Sequence, residues 1–143
     1  MNPQARIKDE LIKAMKQRQA VKVGVLRYLL AAMVNKKIAN RGPLTAAQEL
    51  AVISAQVKSI KESMAQFEKG QRLDLVAKEK AGLKILQAYL PAPLAKADLQ
   101  ALIKKAASQA KDMGQIMKIV MPQVAGRADG AQVSILVKQA LSN

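Results

Sequence analysis

The stretch Asp112–Leu141, DMGQIMKIVMPQVAGRADGAQVSILVKQAL, decides the fold class. Asp112 is followed three residues later by Gln115, and Asp129 three residues later by Gln132, so each half opens with the spacing of a capping box. Two helices start here. Their apolar stripes are Ile116 and Val120, then Val133, Leu136, Val137 and Ala140, with Met113, Met117 and Met121 at helical spacing as gap fillers of a core. Between them Pro122 has no backbone donor to carry the first helix far, and the glycines of Gly126-Arg127-Ala128-Asp129-Gly130 suit backbone angles that other residues resist. If those angles are positive, alanine at Gly126 or Gly130 costs about 1 kcal/mol or more.

Working outward, the same grammar recurs. Asn2-Pro3 reads as an N-cap before a first helix to about Gln17, with Ile7, Leu11 and Met15 on one face. A second helix spans Ala20–Asn40 with the stripe Val23, Leu26, Leu30, Met33 or Val34, and Ile38, and ends at Gly42-Pro43. Thr45 and Gln48 form a capping box before Leu50, Ile53, Val57, Ile60, Met64 and Phe67, and Gly70 is placed to cap that third helix. Lys58 and Glu62 on its other side are spaced as a helix ion pair. A fourth helix runs from Leu73 to about Tyr89 with Leu83, Leu86 and Leu90, and Pro91-Ala-Pro93 makes a stiff connector. A fifth, weakly started at Ala95 or Lys96, carries Leu99, Leu102, Ile103 and Ala106 toward Ala110. No run alternates as a strand does. The reading is an all-α protein of two small domains, 1–92 with about four helices and 93–143 with three.

Composition narrows function. The chain has 143 residues, no Cys and no His, which removes thiol nucleophiles, disulfides, imidazole bases and nearly all zinc or haem ligation. No cofactor or metal is expected. The longest apolar run, Tyr28–Val34, is far short of the ~20 residues that span a bilayer, and the first residues lack a signal-peptide core, so a soluble cytoplasmic protein without membrane attachment is expected. Net charge is +14, from 24 Lys and Arg against 10 Asp and Glu. From Leu11 to Gln48 there is no acid at all, while Lys13, Lys16, Arg18, Lys22, Arg27, Lys36, Lys37 and Arg41 supply eight cations. Such a run favours a polyanion partner.

The blocks Leu26-Arg27, Lys61-Glu62-Ser63, Phe67, Gly70-x-Arg72-x-Asp74-Leu75, Lys78-Glu79, Tyr89-Leu90-Pro91, Asp112-Met113-Gly114 and Gly126-Arg127-Ala128-Asp129-Gly130, in this order and spacing, resemble the GatB/YqeY family and its small stand-alone YqeY-like members. The resemblance covers nearly the whole chain. It implies a helical amino-terminal domain and a three-helix carboxy-terminal domain similar to the tail of the B subunit of the glutamine-dependent aminoacyl-tRNA amidotransferase. That tail contacts tRNA, while the amidotransferase site lies in other domains; the family label of carbon–nitrogen ligase with glutamine as amido-N-donor belongs to the larger enzyme. The chain departs from the family pattern at Lys37, where an acid is usual, at Pro93 in place of Gln, and at Ala95 in place of a capping Ser.

The resemblance makes Lys111, Lys118, Arg127 and Lys138 the first candidates for RNA backbone contacts, with Arg27, Lys36 and Lys37 of the acid-free run as the second group. Arg127 has two readings, a brace for the turn or a bidentate phosphate contact, and the lysines have two, a solvated face or an RNA face. Asp112, Gly114, Gly126, Asp129, Gly130, Tyr89 and Pro91 are read as structural. Arg72, Asp74, Lys78 and Glu79 read as an ion-pair network without a nucleophile or metal ligand beside it, and no catalytic residue is assigned. Base recognition is not expected, because Phe67 sits on a core stripe. Three functions remain open: a non-catalytic tRNA-binding protein, a protein-interaction adaptor, and a subunit in amide transfer.

Overall fold

A computed structural model describes residues 3–124 and 127–142, so the cap expected at Asn2 and the backbone angles expected at Gly126 lie outside the described residues. Among the described residues there are helices and no strands: α1 (Pro3–Lys16), α2 (Ala20–Asn40), α3 (Ala46–Lys69), α4 (Leu73–Gln87), α5 (Lys96–Gln109), α6 (Met113–Val124) and α7 (Gly130–Ser142). The chain is all-α. None of these helices is long and apolar enough to cross a membrane. The backbone divides into two compact units, Met1–Leu90 and Pro91–Asn143, each with its own core.

In the first unit Ile7, Leu26, Leu29, Met33, Ile53, Val57, Leu86 and Tyr89 are buried together. The stripe expected on α2 is rotated: Leu29 is fully buried, whereas Ile38 is 70% exposed and Val34 is also exposed. The helix is apolar around much of its circumference from Val21 to Ile38, so periodicity alone does not choose the face. On α1 Ile7 is buried as expected, but beyond it Ala14 is buried and Met15 is exposed. The capping box of α3 is present, with Gln48 N donating to Thr45 Oγ1 at 3.1 Å and Thr45 N donating to Gln48 Oε1 at 3.0 Å. Lys58 and Glu62 form no ion pair among the described residues; the recorded pairs are Arg6–Glu10, Lys22–Glu10 and Arg72–Asp74.

Each turn of this unit is closed by a left-handed residue that is not glycine: Arg18 (φ 56), Arg41 (φ 55) and Gln71 (φ 55). Gly70 does cap α3, but with φ −83, and the strained angle falls on its neighbour. A left-handed residue with a Cβ costs about 1–2 kcal/mol, and glycine returns part of that as unfolded-chain entropy. Gln71→Gly should therefore raise stability by about 0.5–1 kcal/mol in a denaturant melt. A loss of stability would contradict this account of the turn.

In the second unit the buried set is Leu99, Ile103, Ala106, Ala110, Ile116, Val120, Val124, Val133, Leu136 and Val137, with Met113, Met117 and Met121 packed partly buried against it. Ala95 caps α5 without a side-chain hydrogen bond, as its lack of a hydroxyl requires. Asp112 Oδ1 accepts from Gln115 N at 2.8 Å, and a Cβ at Gly114 would stand 3.3 Å from that oxygen, so the glycine leaves room for the cap. Asp129 departs from expectation: its Oδ1 accepts from Ala131 N at 3.2 Å, two residues on, and not from Gln132. Pro122 lies inside the last turn of α6 and does not end it before Val124, whose side chain is fully buried and holds that turn on the core. Gly130 is the first residue of α7 and has no left-handed angle; a Cβ there would meet Met121 Cε at an ordinary 3.7 Å. Gly130→Ala is therefore expected to be neutral or slightly stabilising, in place of the cost of about 1 kcal/mol that a positive φ would bring.

Candidate nucleic-acid interface

The acid-free run folds into the second half of α1, its turn, the whole of α2, and the turn that leads into the first residues of α3. Lys22 is held 3.6 Å from Glu10 Oε2. Lys13, Lys16, Arg18, Arg27, Lys36, Lys37 and Arg41 are exposed and pair with no carboxylate among the described residues. At 100° per residue Arg27 and Lys37 lie within one arc of α2, about 15 Å apart along the axis, and Arg41 is the left-handed residue that follows the helix. Lys36 points elsewhere and lines a groove against α3 and α4. Sequence reasoning passed over Tyr28, which lies in an apolar run yet is 70% exposed on the helix that carries these cations.

In the second unit Lys111, Lys118 and Lys138 are exposed on three separate elements: the lead into α6, α6 itself and α7. Arg127 sits in the turn before α7. Its Nε donates to the Ala92 carbonyl at 3.0 Å, and its own carbonyl accepts from Leu94 N at 3.0 Å. Asp129 is already engaged as the α7 cap.

A further polar cluster lies in the first unit. The Tyr89 hydroxyl donates to Glu10 Oε2, Arg6 Nε donates to Glu10 Oε1 at 3.1 Å, and the Arg6 guanidinium lies 4.8 Å from the centre of the Tyr89 ring. Partial burial pushes the Glu10 carboxyl up, but the Tyr89 hydroxyl, Arg6 and Lys22 outweigh it and hold Glu10 below its usual range. Burial first, then the Glu10 contact, raises the Tyr89 hydroxyl above its ordinary value. With both oxygens occupied by donors, Glu10 is a bracket and not a base. Only the Arg6–Glu10 spacing was visible in the sequence; Tyr89 is 79 residues away.

Arg72 and Asp74 form a two-point pair at 3.2 and 3.1 Å, and this hydrogen bonding lowers the Asp74 carboxyl in the open. Lys78 and Glu79 do not join them; they line the groove that Lys36 also lines. The expected four-residue network is thus one exposed pair and two groove residues.

Similar proteins are known in fungi. An uncharacterized protein of Schizosaccharomyces pombe is 31% identical over 90 residues, covering 63% of this chain and 73% of that protein. Altered inheritance of mitochondria protein 41, mitochondrial, of Pyrenophora tritici-repentis is 28% identical over 142 residues, covering 94% and 78%. The protein of that name from Saccharomyces cerevisiae is 30% identical over 128 residues, covering 86% and 68%. The family model described as Yqey-like protein matches residues 4–141, and the chain belongs to that family.

Proposed function

We propose that this chain is a non-catalytic RNA-binding protein that holds the phosphate backbone of tRNA or another structured RNA. The observation that supports the reading is the acid-free run through α1, α2 and their turns, in which seven exposed cations pair with no carboxylate among the described residues. Each phosphate such a residue neutralises releases condensed counterions, which gives affinity without reading sequence. Lys111, Lys118, Arg127 and Lys138 extend the contact to the part of the chain that resembles the tRNA-contacting tail of the amidotransferase. The link to amide transfer is then through RNA, and the purified chain has no glutaminase or transamidation turnover of its own. Measured turnover would overturn this. The cytoplasmic placement belongs to the same proposal; the mitochondrial names are those of the relatives, and both compartments contain tRNA.

Titration with total tRNA at two salt concentrations tests the proposal. Binding with a log–log salt slope of several units is expected; no binding at low salt would leave the adaptor reading in its place. Arg127 separates brace from contact. Arg127→Ala should cost the second unit about 1 kcal/mol by removing the bond to Ala92, and lower the salt slope by about one unit if the guanidinium also meets a phosphate. Arg127→Lys keeps the charge but not the fork, so its slope should be retained while part of the affinity goes. An unchanged slope in Arg127→Ala would confine the residue to the turn.

A further inference from the structure

Apart from the basic face, the first unit carries a groove of about 920 Å3 bounded by α2, α3 and α4. On α2 its wall is Ala20, Gly24, Ala32 and Ala39, with Tyr28 among them; on α3 it is Ala55, Ser59 and Ser63. On α3 the small residues recur every four and that wall is low along its length, while on α2 Tyr28 and Lys36 rise between the small residues. From Ala20 to Ala39 the trough runs about 28 Å at 1.5 Å per residue, the length of a five-turn helix. Its floor is set by Gly82 of α4, where a Cβ would come within 3.1 Å of Val25 Cγ2. The glycine thus lets α4 pack against Val25 more closely than a residue with a side chain would.

An unmet polar group points to an occupant. Gln56 lines the groove, is only 9% exposed, and its side-chain nitrogen has no hydrogen-bond partner among the described residues. Such a donor costs free energy, and because the nitrogen is shielded from solvent, a bound acceptor recovers it only once the Gln56 side chain turns into the groove. Val21 and Tyr28 stand exposed along the same wall. The charged lining is Lys36, Lys78 and one acid, Glu79, and the first unit carries 17 Lys and Arg against 7 Asp and Glu, a net of +10.

We propose that this groove docks an amphipathic helix of a partner protein, about five turns long, apolar on its inner face and acidic along its flanks. Its apolar side chains fill the trough over the small residues, its acids meet Lys36 and Lys78, and a side-chain carboxylate or amide accepts from Gln56. The lining is mainly aliphatic, with one aromatic, which suits a helix face better than a nucleotide whose phosphates would lie over methyl groups. A second copy of this chain, at +14, would bring like charge to the rim. The inference does not depend on RNA binding; of the basic residues named above as RNA contacts it uses only Lys36, which lines the groove.

The test is selection of a displayed library of 20-residue helices, randomised at their surface positions, on the full chain. Enriched peptides are expected to combine a Leu, Ile or Met stripe with Asp or Glu flanks. Gly24→Leu is the decisive variant, because a Cβ at Gly24 meets nothing within 4 Å and the new side chain occupies the trough. It should weaken the selected peptides at least tenfold while raising the melting temperature, since glycine is a poor residue inside a helix. Gln56→Met should remove the preference for a polar residue at the facing peptide position. No enrichment, or peptides indifferent to Gly24→Leu, would overturn the proposal. So would tRNA displacing the peptides together with loss of tRNA binding in Gly24→Leu, which assigns the groove to RNA, or a dimer in sedimentation that Gly24→Leu dissolves, which assigns it to a second copy.

Discussion

Replacing Arg27, Lys36, Lys37 and Arg41 together by Gln is expected to lower the salt slope of tRNA binding by about three units and the affinity at 0.1 M salt by up to about a thousandfold. Each cation that neutralises a phosphate contributes roughly 0.7–0.9 units to the slope, so four contacts set the upper end of the scale, and without Lys36, which faces the groove, the drop is about two units. Folding should be unharmed, because all four side chains are exposed and none is paired with a carboxylate among the described residues. Relief of like-charge repulsion along α2 favours a small gain in stability. The control removes the same charge from other helices: Lys58, Lys61, Lys80 and Lys84, exposed on α3 and α4, changed to Gln. If both sets weaken binding equally, attraction is a property of total charge and α2 is no interface. If only the α2 set does, the acid-free run is where RNA lies.

Tyr89→Ala is expected to cost about 3–5 kcal/mol, since it empties a ring that is 6% exposed in the first core and strips Glu10 and Arg6 of their shared partner. Tyr89→Phe keeps the ring and removes the hydroxyl, at about 1.5 kcal/mol for a hydrogen bond to a charged acceptor. The pH dependence follows from the two shifts. Glu10 is depressed, so its contribution is present above its unfolded value near 4.5 and lost as pH falls through the lower folded value. Tyr89 is raised, so its contribution is complete below its unfolded value near 10 and lost as pH rises toward the folded one. Tyr89→Phe should thus remove the alkaline loss and shorten the acid one, read from denaturant melts across pH. Burial raises the Glu49 carboxyl, which works in the opposite sense on the acid side. Comparison in a Glu49→Gln, Asp74→Asn background, which also removes the lowered Asp74 carboxyl, isolates the Glu10 limb, and an unchanged acid limb there would separate Tyr89 from the electrostatics of the fold.

Helix positions were legible because caps and periodic stripes are local. Thr45 with Gln48, Asp112 with Gln115, and the stripe through Ile53 and Val57 need no knowledge of neighbours. What was not legible depends on neighbours. Leu29 and Ala14 are core because of how α1 and α2 meet, and Val34 and Ile38 are exposed for the same reason. The left-handed residues Arg41 and Gln71 escaped notice because each stands beside a glycine that draws the reader's eye. For the candidate site, the acid-free run was visible as composition, but the arc shared by Arg27 and Lys37 and the separation of Lys36 from it are properties of a helix at a known rotation. Tyr89 and Glu10 were each unremarkable alone; their meeting joins the first helix to the end of the fourth.

The two hydrogen bonds of Arg127 have a bearing on where the second unit begins. Ala92 supplies the acceptor for the guanidinium and Leu94 the donor for the Arg127 carbonyl, so the chain just before α5 is fastened to the turn just before α7. Topologically this closes a ring of about three dozen residues with a clasp at its neck. A fragment cut at Leu94 would carry all three helices and leave the clasp with one jaw. A fragment cut at Pro91 would carry both, and a protease that nicks the exposed prolines should loosen the carboxy-terminal turn without touching any residue of its core.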